Sequence, residues 1–131
     1  MFQFIVGDIM SQQFEPSSFD AVVAFYALFH VPREEHRRLL ERIATWLRPG
    51  GYFFATLGNT DLPSYTNHDF FGVTMYWSHF EAAWYTSTLR ELGFDVLASG
   101  VLDPGNRDVP GLPSDRHPIV FARLRPSNVE R

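Results

Sequence analysis

Few residues in this 131-residue chain are suited to chemistry, and their spacing narrows what they can do. Asp8 follows the apolar run FIVG, which makes it an acid delivered by a strand to the carboxyl end, where open α/β sheets bind ligands. His30 stands in FHVP, at a junction between a strand and a helix, where an imidazole orients a substrate, acts as a base or simply serves the junction's structure. His68, Asp69 and His79 have the donor types of a metal site, but their irregular spacing across one loop argues against one, and no metal is expected. Phe25, Tyr26 and Phe29 fall in one aromatic run, for which core packing is the plainer alternative to a ligand wall.

Several chemistries are excluded by what is missing. Without cysteine there is no thiolate nucleophile, thiolate metal site or disulfide framework. No Gly-x-Ser-x-Gly occurs, which removes the nucleophile elbow of a hydrolase. A net charge of −4 with no basic run argues against nucleic acid or an anionic membrane as partner, since Glu34, Glu35 and Glu41 interleave with the arginines of the one Arg-rich segment. No apolar run approaches the roughly 20 residues of a membrane span, and a cytoplasmic location is the expectation. Hydrophobic residues make up 45% of the chain, ample for one core.

The elements that must position these residues follow from the pattern. FQFIV predicts a strand at the start, AVVAF a second, and YFFATLG a third. Between the last two, VPREEHRRLLERIATWLRPGG predicts a helix with Pro32 in its first turn, an apolar face of Leu39, Leu40, Ile43, Trp46 and Leu47, and a stop at Pro49-Gly50-Gly51. Residues 59–76 predict a long loop whose Tyr65, Phe70, Phe71, Tyr76 and Trp77 could wall an apolar molecule. A second helix is expected from an N-cap at Ser78, with Glu81 completing a capping box, to Gly93. FDVLASGVL and IVFARLR are then strands joined through a Pro/Gly-rich loop near 103–118, without a helix, so that pair can be antiparallel. The fold class is α/β.

FIVGDIMSQQFEPSSFDAVVAFYALFHVP, then LRPGGYFFATLG, then WSHFEAAWYTSTLRELGFDVLASG together resemble the second half of a class I S-adenosylmethionine-dependent methyltransferase. The resemblance implies a Rossmann-like sheet, incomplete and mostly parallel, with an antiparallel last strand. It takes residues 1–125 as the C-terminal part of a methyltransferase domain, followed by a polar tail at 126–131 that is expected to be frayed. By that resemblance Asp8 and Ile9 meet the adenine of the cofactor, while Ala24, Phe25 and Tyr26 line its methionine half. No catalytic residue is assigned. S-adenosylmethionine is the implied cofactor and a small molecule the implied substrate.

The family's Gly-rich loop and the acid that ends its second strand are absent from the sequence. The expectation is therefore a truncated form, impaired in cofactor binding. The alternative is a non-catalytic domain that self-associates as a homo-oligomer through an unpaired strand edge. FQFIV, deprived of its family neighbours, is expected to be the least family-like element.

Overall fold

The computed structural model describes residues 2–58, 60–102 and 117–126. A four-stranded sheet forms its centre, built from β1 (Phe19–Ala24), β2 (Leu47–Thr56), β5 (Phe94–Leu102) and β6 (His117–Leu124) in the order β1-β2-β6-β5. β1 and β2 run parallel, whereas β6 is antiparallel to both of its neighbours, β2 and β5. The expectation of a mostly parallel sheet is thus not met among the described strands, because β6 inserts antiparallel between β2 and β5 and residues 2–8 add no parallel strand. The antiparallel last strand is present.

Helix α1 (His36–Trp46) links β1 to β2, and α2 (Ala82–Glu91) precedes β5. Spacing makes α1 amphipathic: Leu39, Leu40, Ile43 and Trp46 are buried on one face, while Arg37, Arg38 and Glu41 remain in solvent. On the sheet, alternation does the same work. Val22 and Ala24 of β1, Phe53 and Ala55 of β2, and Val120 and Ala122 of β6 join the helices in one core. Phe53, Ala55, Leu89, Phe94, Val120 and Ala122 are wholly buried.

Three expectations about individual elements are corrected. Residues 59–76 are not a loop, since β3 (Leu62–Phe70) and β4 (Val73–His79) form an antiparallel hairpin. It turns at Phe71-Gly72, both with positive φ (52° and 85°), as a two-residue primed turn requires. Ser78 is no helix cap; it lies buried in β4, its Oγ donating to the Pro63 carbonyl and accepting from the Arg33 N–H. The helix stop falls earlier than Pro49-Gly50-Gly51, which belong to β2, and Gly50 meets the backbone's demand there with φ 85°.

The opening strand is the fourth correction. Among the described residues, 2–8 pair with nothing, and Phe2, Phe4 and Val6 are almost fully exposed. The strand expected at FQFIV is therefore not formed among the described residues. The expected 103–118 loop and 126–131 tail lie largely outside the described residues.

Candidate functional site

Among the described residues β1 and β2 are the one parallel pair, and their carboxyl ends lie side by side, with Ala24 in register with Ala55. Past Ala24 the chain must leave the sheet sharply. It does so through Tyr26, a non-glycine residue in the left-handed region (φ 53°), which leads into a 3-10 turn at Leu28–His30. A hydrogen bond from the Tyr26 N–H to Oγ1 of Thr56 (2.5 Å), a threonine that is itself 1% exposed, ties this bend to the end of β2. Phe25 and Tyr26 are left half exposed, at 53% and 45%. Phe25 and Tyr26 are therefore exposed just past the strand end, next to Ala24, which packs against the core.

Beneath them, Phe29 is buried and gathers rings from three elements. His30 lies at 4.9 Å, His117 stacks at 5.5 Å, Tyr26 meets it at 6.3 Å and His79 at 6.4 Å. A backbone carbonyl holds Nδ1 of each of these imidazoles: Tyr76 for His30 at 2.7 Å, Leu57 for His117 at 3.2 Å and Phe80 for His79 at 3.4 Å. A carbonyl only accepts, so Nδ1 carries the hydrogen in each ring. His30 thereby joins the strand-end bend to the β3–β4 hairpin. His79 presses on Gly58, where a Cβ would come within 2.2 Å of its ring, so the chain can pass there only as glycine.

Asp8 and Ile9 are built differently. The Asp8 carboxylate accepts the Met10 N–H at 2.9 Å and caps a 3-10 turn at Ile9–Ser11, and both residues face solvent. Asp8 is thus a turn former and does not stand at a strand end, because no strand precedes it. The Arg42 guanidinium donates to the carbonyls of Met10 and Gln12 and fastens this stretch to α1. A shallow groove of about 360 Å³ lies beside it, lined by Phe14, Arg38, Arg42 and Trp46. None of its lining residues comes from the strand ends.

A buried polar network braces the site from below. His36, 1% exposed, donates from Nε2 to the Val31 carbonyl and accepts at Nδ1 from the Tyr85 hydroxyl, both at 2.7 Å. The Tyr85 oxygen in turn accepts the Phe80 N–H at 3.2 Å. Burial lowers the His36 pKa and raises that of Tyr85 to about 12, so both are neutral near pH 7.

Of the residues singled out from sequence, the fold brings Ala24, Phe25, Tyr26, Phe29, His30 and His79 to one end of the sheet. It leaves Asp8, Ile9, His68 and Asp69 elsewhere: His68 and Asp69 lie on β3. No group of three metal-ligating side chains gathers among the described residues. Thr56 and His117 were not anticipated. Thr56 carries no signal beyond ending a strand, and His117 depends on which strand lies next to β2.

Residues 1–55 match the family model of the methyltransferase domain. A superposable fold occurs in a SAM-dependent methyltransferase from Methanosarcina mazei (TM-score 0.76, 19% identity), covering 95% of this chain and 68% of that one. The 1,6-didemethyltoxoflavin-N1-methyltransferase of Burkholderia thailandensis, solved with 1,6-didemethyltoxoflavin and S-adenosylhomocysteine, gives 0.66 at 20% identity, covering 94% and 51%. A putative S-adenosylmethionine-dependent methyltransferase from Listeria monocytogenes gives 0.72 at 17%, covering 91% and 67%.

The chain has the class I methyltransferase fold. The chain spans about half to two thirds of the length of these three relatives. No curated protein matches its sequence significantly. The Methanosarcina and Listeria neighbours are named as S-adenosylmethionine-dependent, so S-adenosylmethionine is the ligand against which the strand ends can be compared. The donors present fit it in part. The exposed bend at Ala24–Tyr26 offers backbone and ring surface at the strand ends, whereas Asp8 lies on an exposed turn with one carboxylate oxygen, Oδ1, engaged in its own cap.

Proposed function

We propose that this methyltransferase domain carries the methionine-side and acceptor-side walls of an S-adenosylmethionine-dependent site that acts on a small molecule. We further propose that the 131-residue chain alone holds the cofactor poorly. The observation that carries this reading is the contrast between a strand-end bend fixed by Thr56 and an Asp8 that caps its own turn.

When bound, S-adenosylmethionine supplies an electrophilic methyl group, and the protein's part is positioning and exclusion of water. Ala24, Phe25 and Tyr26 are the residues that would meet the methionine portion. Thr56 fixes the bend that presents them, and Phe29 with its ring cluster makes the floor rigid. The β3–β4 hairpin supplies aromatic surface for a small apolar acceptor. Tyr65 and Trp77, cross-strand partners stacked at 5.8 Å, are its central pair, with Phe70 at 5.1 Å from Trp77. A small-molecule acceptor is in keeping with the Burkholderia neighbour, solved with one bound.

Calorimetric titration with S-adenosylhomocysteine tests the reading. Weak or unsaturable binding by the chain, with amide shifts confined to residues 24–30 and 56–58, is the expected result. Tight, saturable binding with shifts at Asp8 and Ile9 would overturn it.

A further inference from the structure

His30 ties the strand-end bend to the hairpin with one ring nitrogen and leaves the other unused. Its Nδ1–H donates to the Tyr76 carbonyl at 2.7 Å, which fixes the tautomer of the neutral ring and leaves a lone pair on Nε2. Among the described residues no hydrogen bond engages Nε2, and no buried side-chain nitrogen or oxygen lacks a partner. Nε2 therefore opens outward from the ring cluster, on an imidazole that is only half-buried.

Two aromatic walls meet at this ring. On the sheet side Phe29 lies edge-on to it at 4.9 Å, with Tyr26 beyond. On the hairpin side Trp77 lies at 5.9 Å, tilted by 48°, and stacks in turn on the half-exposed Tyr65. The other polar side chains nearby are committed: Ser78 Oγ to the Arg33 N–H and the Pro63 carbonyl, and Thr56 Oγ1 to the Tyr26 N–H. His117 is built like His30, with Nδ1 on a carbonyl, but its ring meets Tyr26 and Phe29 and no described ring of the hairpin. His30 is thus the described imidazole that touches both walls.

We propose that His30 Nε2 selects the acceptor molecule, by accepting a hydrogen bond from a hydroxyl on a planar aromatic body that lies against Trp77 and Tyr65. This rests on the methyltransferase reading and narrows its small apolar acceptor to a phenol-like one. The pinned tautomer supplies the chemical reason: Nε2 can accept but not donate, so the bound molecule must bring the hydrogen. The flanking rings supply the other half, since a flat apolar body gains both burial and offset stacking there. A site built around such a bond discriminates against a molecule of the same shape that lacks the hydrogen.

Titration of the 131-residue chain with p-cresol and with p-cresyl methyl ether, followed by NMR shifts, tests the proposal. The two probes share a ring and differ in the hydroxyl hydrogen. p-Cresol should shift the His30 ring and the amides of Tyr65 and Trp77, and should bind about tenfold more tightly than the ether, the upper range for one partly exposed hydrogen bond. In His30→Phe, which keeps a ring between Phe29 and Trp77, that preference should vanish while the affinity for the ether is kept. In His30→Gln, whose side-chain oxygen can accept in place of Nε2, part of it should return. Equal losses of both probes in His30→Phe would make His30 a structural tie alone and overturn the proposal. A preference that survives in His30→Phe overturns it too, as does binding of neither probe at millimolar concentration. No cofactor analogue enters these titrations, so S-adenosylhomocysteine binding still tests the methyltransferase reading separately when this proposal fails.

Discussion

Phe2–Val6 and Phe19–Ala24 are two short apolar segments with equal claims to be strands, and they have opposite fates. Phe19–Ala24 lies beside β2 and sends Val22 and Ala24 into the core. Phe2–Val6 has no partner among the described residues, and Phe4 and Val6 are 91% and 101% exposed. The difference lies in the neighbours. A strand is a surface that fits other surfaces, and the same pattern without a ladder to join has nothing to fix it. One consequence reaches the site: Ala24–Tyr26, at the end of the paired segment, is held in place, whereas Asp8, at the end of the unpaired one, is available to cap a local turn.

Energetics should separate the two regions most sharply. Phe53→Ala, wholly buried on β2 beside Val22 of β1, should cost about 3–5 kcal/mol, whereas Phe4→Ala should stay within about 0.5 kcal/mol. Urea denaturation of the two variants measures this directly. A comparable loss in Phe4→Ala would mean that the opening segment is packed in solution and that the contrast drawn above is false.

Gly58→Ala examines the built region next to the strand ends. Its Cβ would overlap the His79 ring, which is only 6% exposed, so a loss of about 2–3 kcal/mol is expected. The His30 and Phe29 resonances should shift with it. An unchanged melting temperature would show that the ring cluster has room to yield.

The His36–Tyr85 network sets a smaller, pH-dependent effect. Burial holds the folded His36 pKa below its ordinary 6.5, so the unfolded chain takes up the proton more readily. The stabilisation is complete above about pH 6.5 and is lost as pH falls below that value toward the folded pKa. Melting temperature should therefore decline on acidification, with a shallower decline in His36→Gln. Tyr85→Phe leaves His36 Nδ1 and the Phe80 N–H without their partner, at a cost of about 1–2 kcal/mol at pH 7.

How much of this was legible in the sequence depends on where the information sits. α1 and the body of β2 announced themselves, because the period of Leu39, Leu40, Ile43 and Trp46 and the aromatic run YFFAT are local. The β3–β4 hairpin was hidden: its turn needs positive φ at two residues and places Phe71, which gives no such signal, at the first. Ser78 and Glu81 had capping-box spacing, yet the serine was taken by the Arg33 N–H and the Pro63 carbonyl, partners that come from tertiary structure. The aromatic half of the site was visible as a cluster of residue types. Thr56 and His117 were not, since each acquires its place only when β1, β2 and β6 lie side by side.

Asp8→Ala makes the finest cut between the two regions. As placed, the carboxylate makes one bond, to the Met10 N–H in an exposed three-residue turn, so its removal should cost no more than about 0.5 kcal/mol. The amide shifts produced by millimolar S-adenosylhomocysteine should be the same in variant and parent, because the segment takes no part in holding the ligand. Tyr26→Ala, by contrast, should diminish those shifts, since the ring at the fixed bend is lost. If Asp8→Ala diminished them too, the opening segment would be folding onto the ligand. The ligand would then be supplying the surface that Phe2–Val6 lacks, and the contrast between the two segments would be a property of the free chain alone.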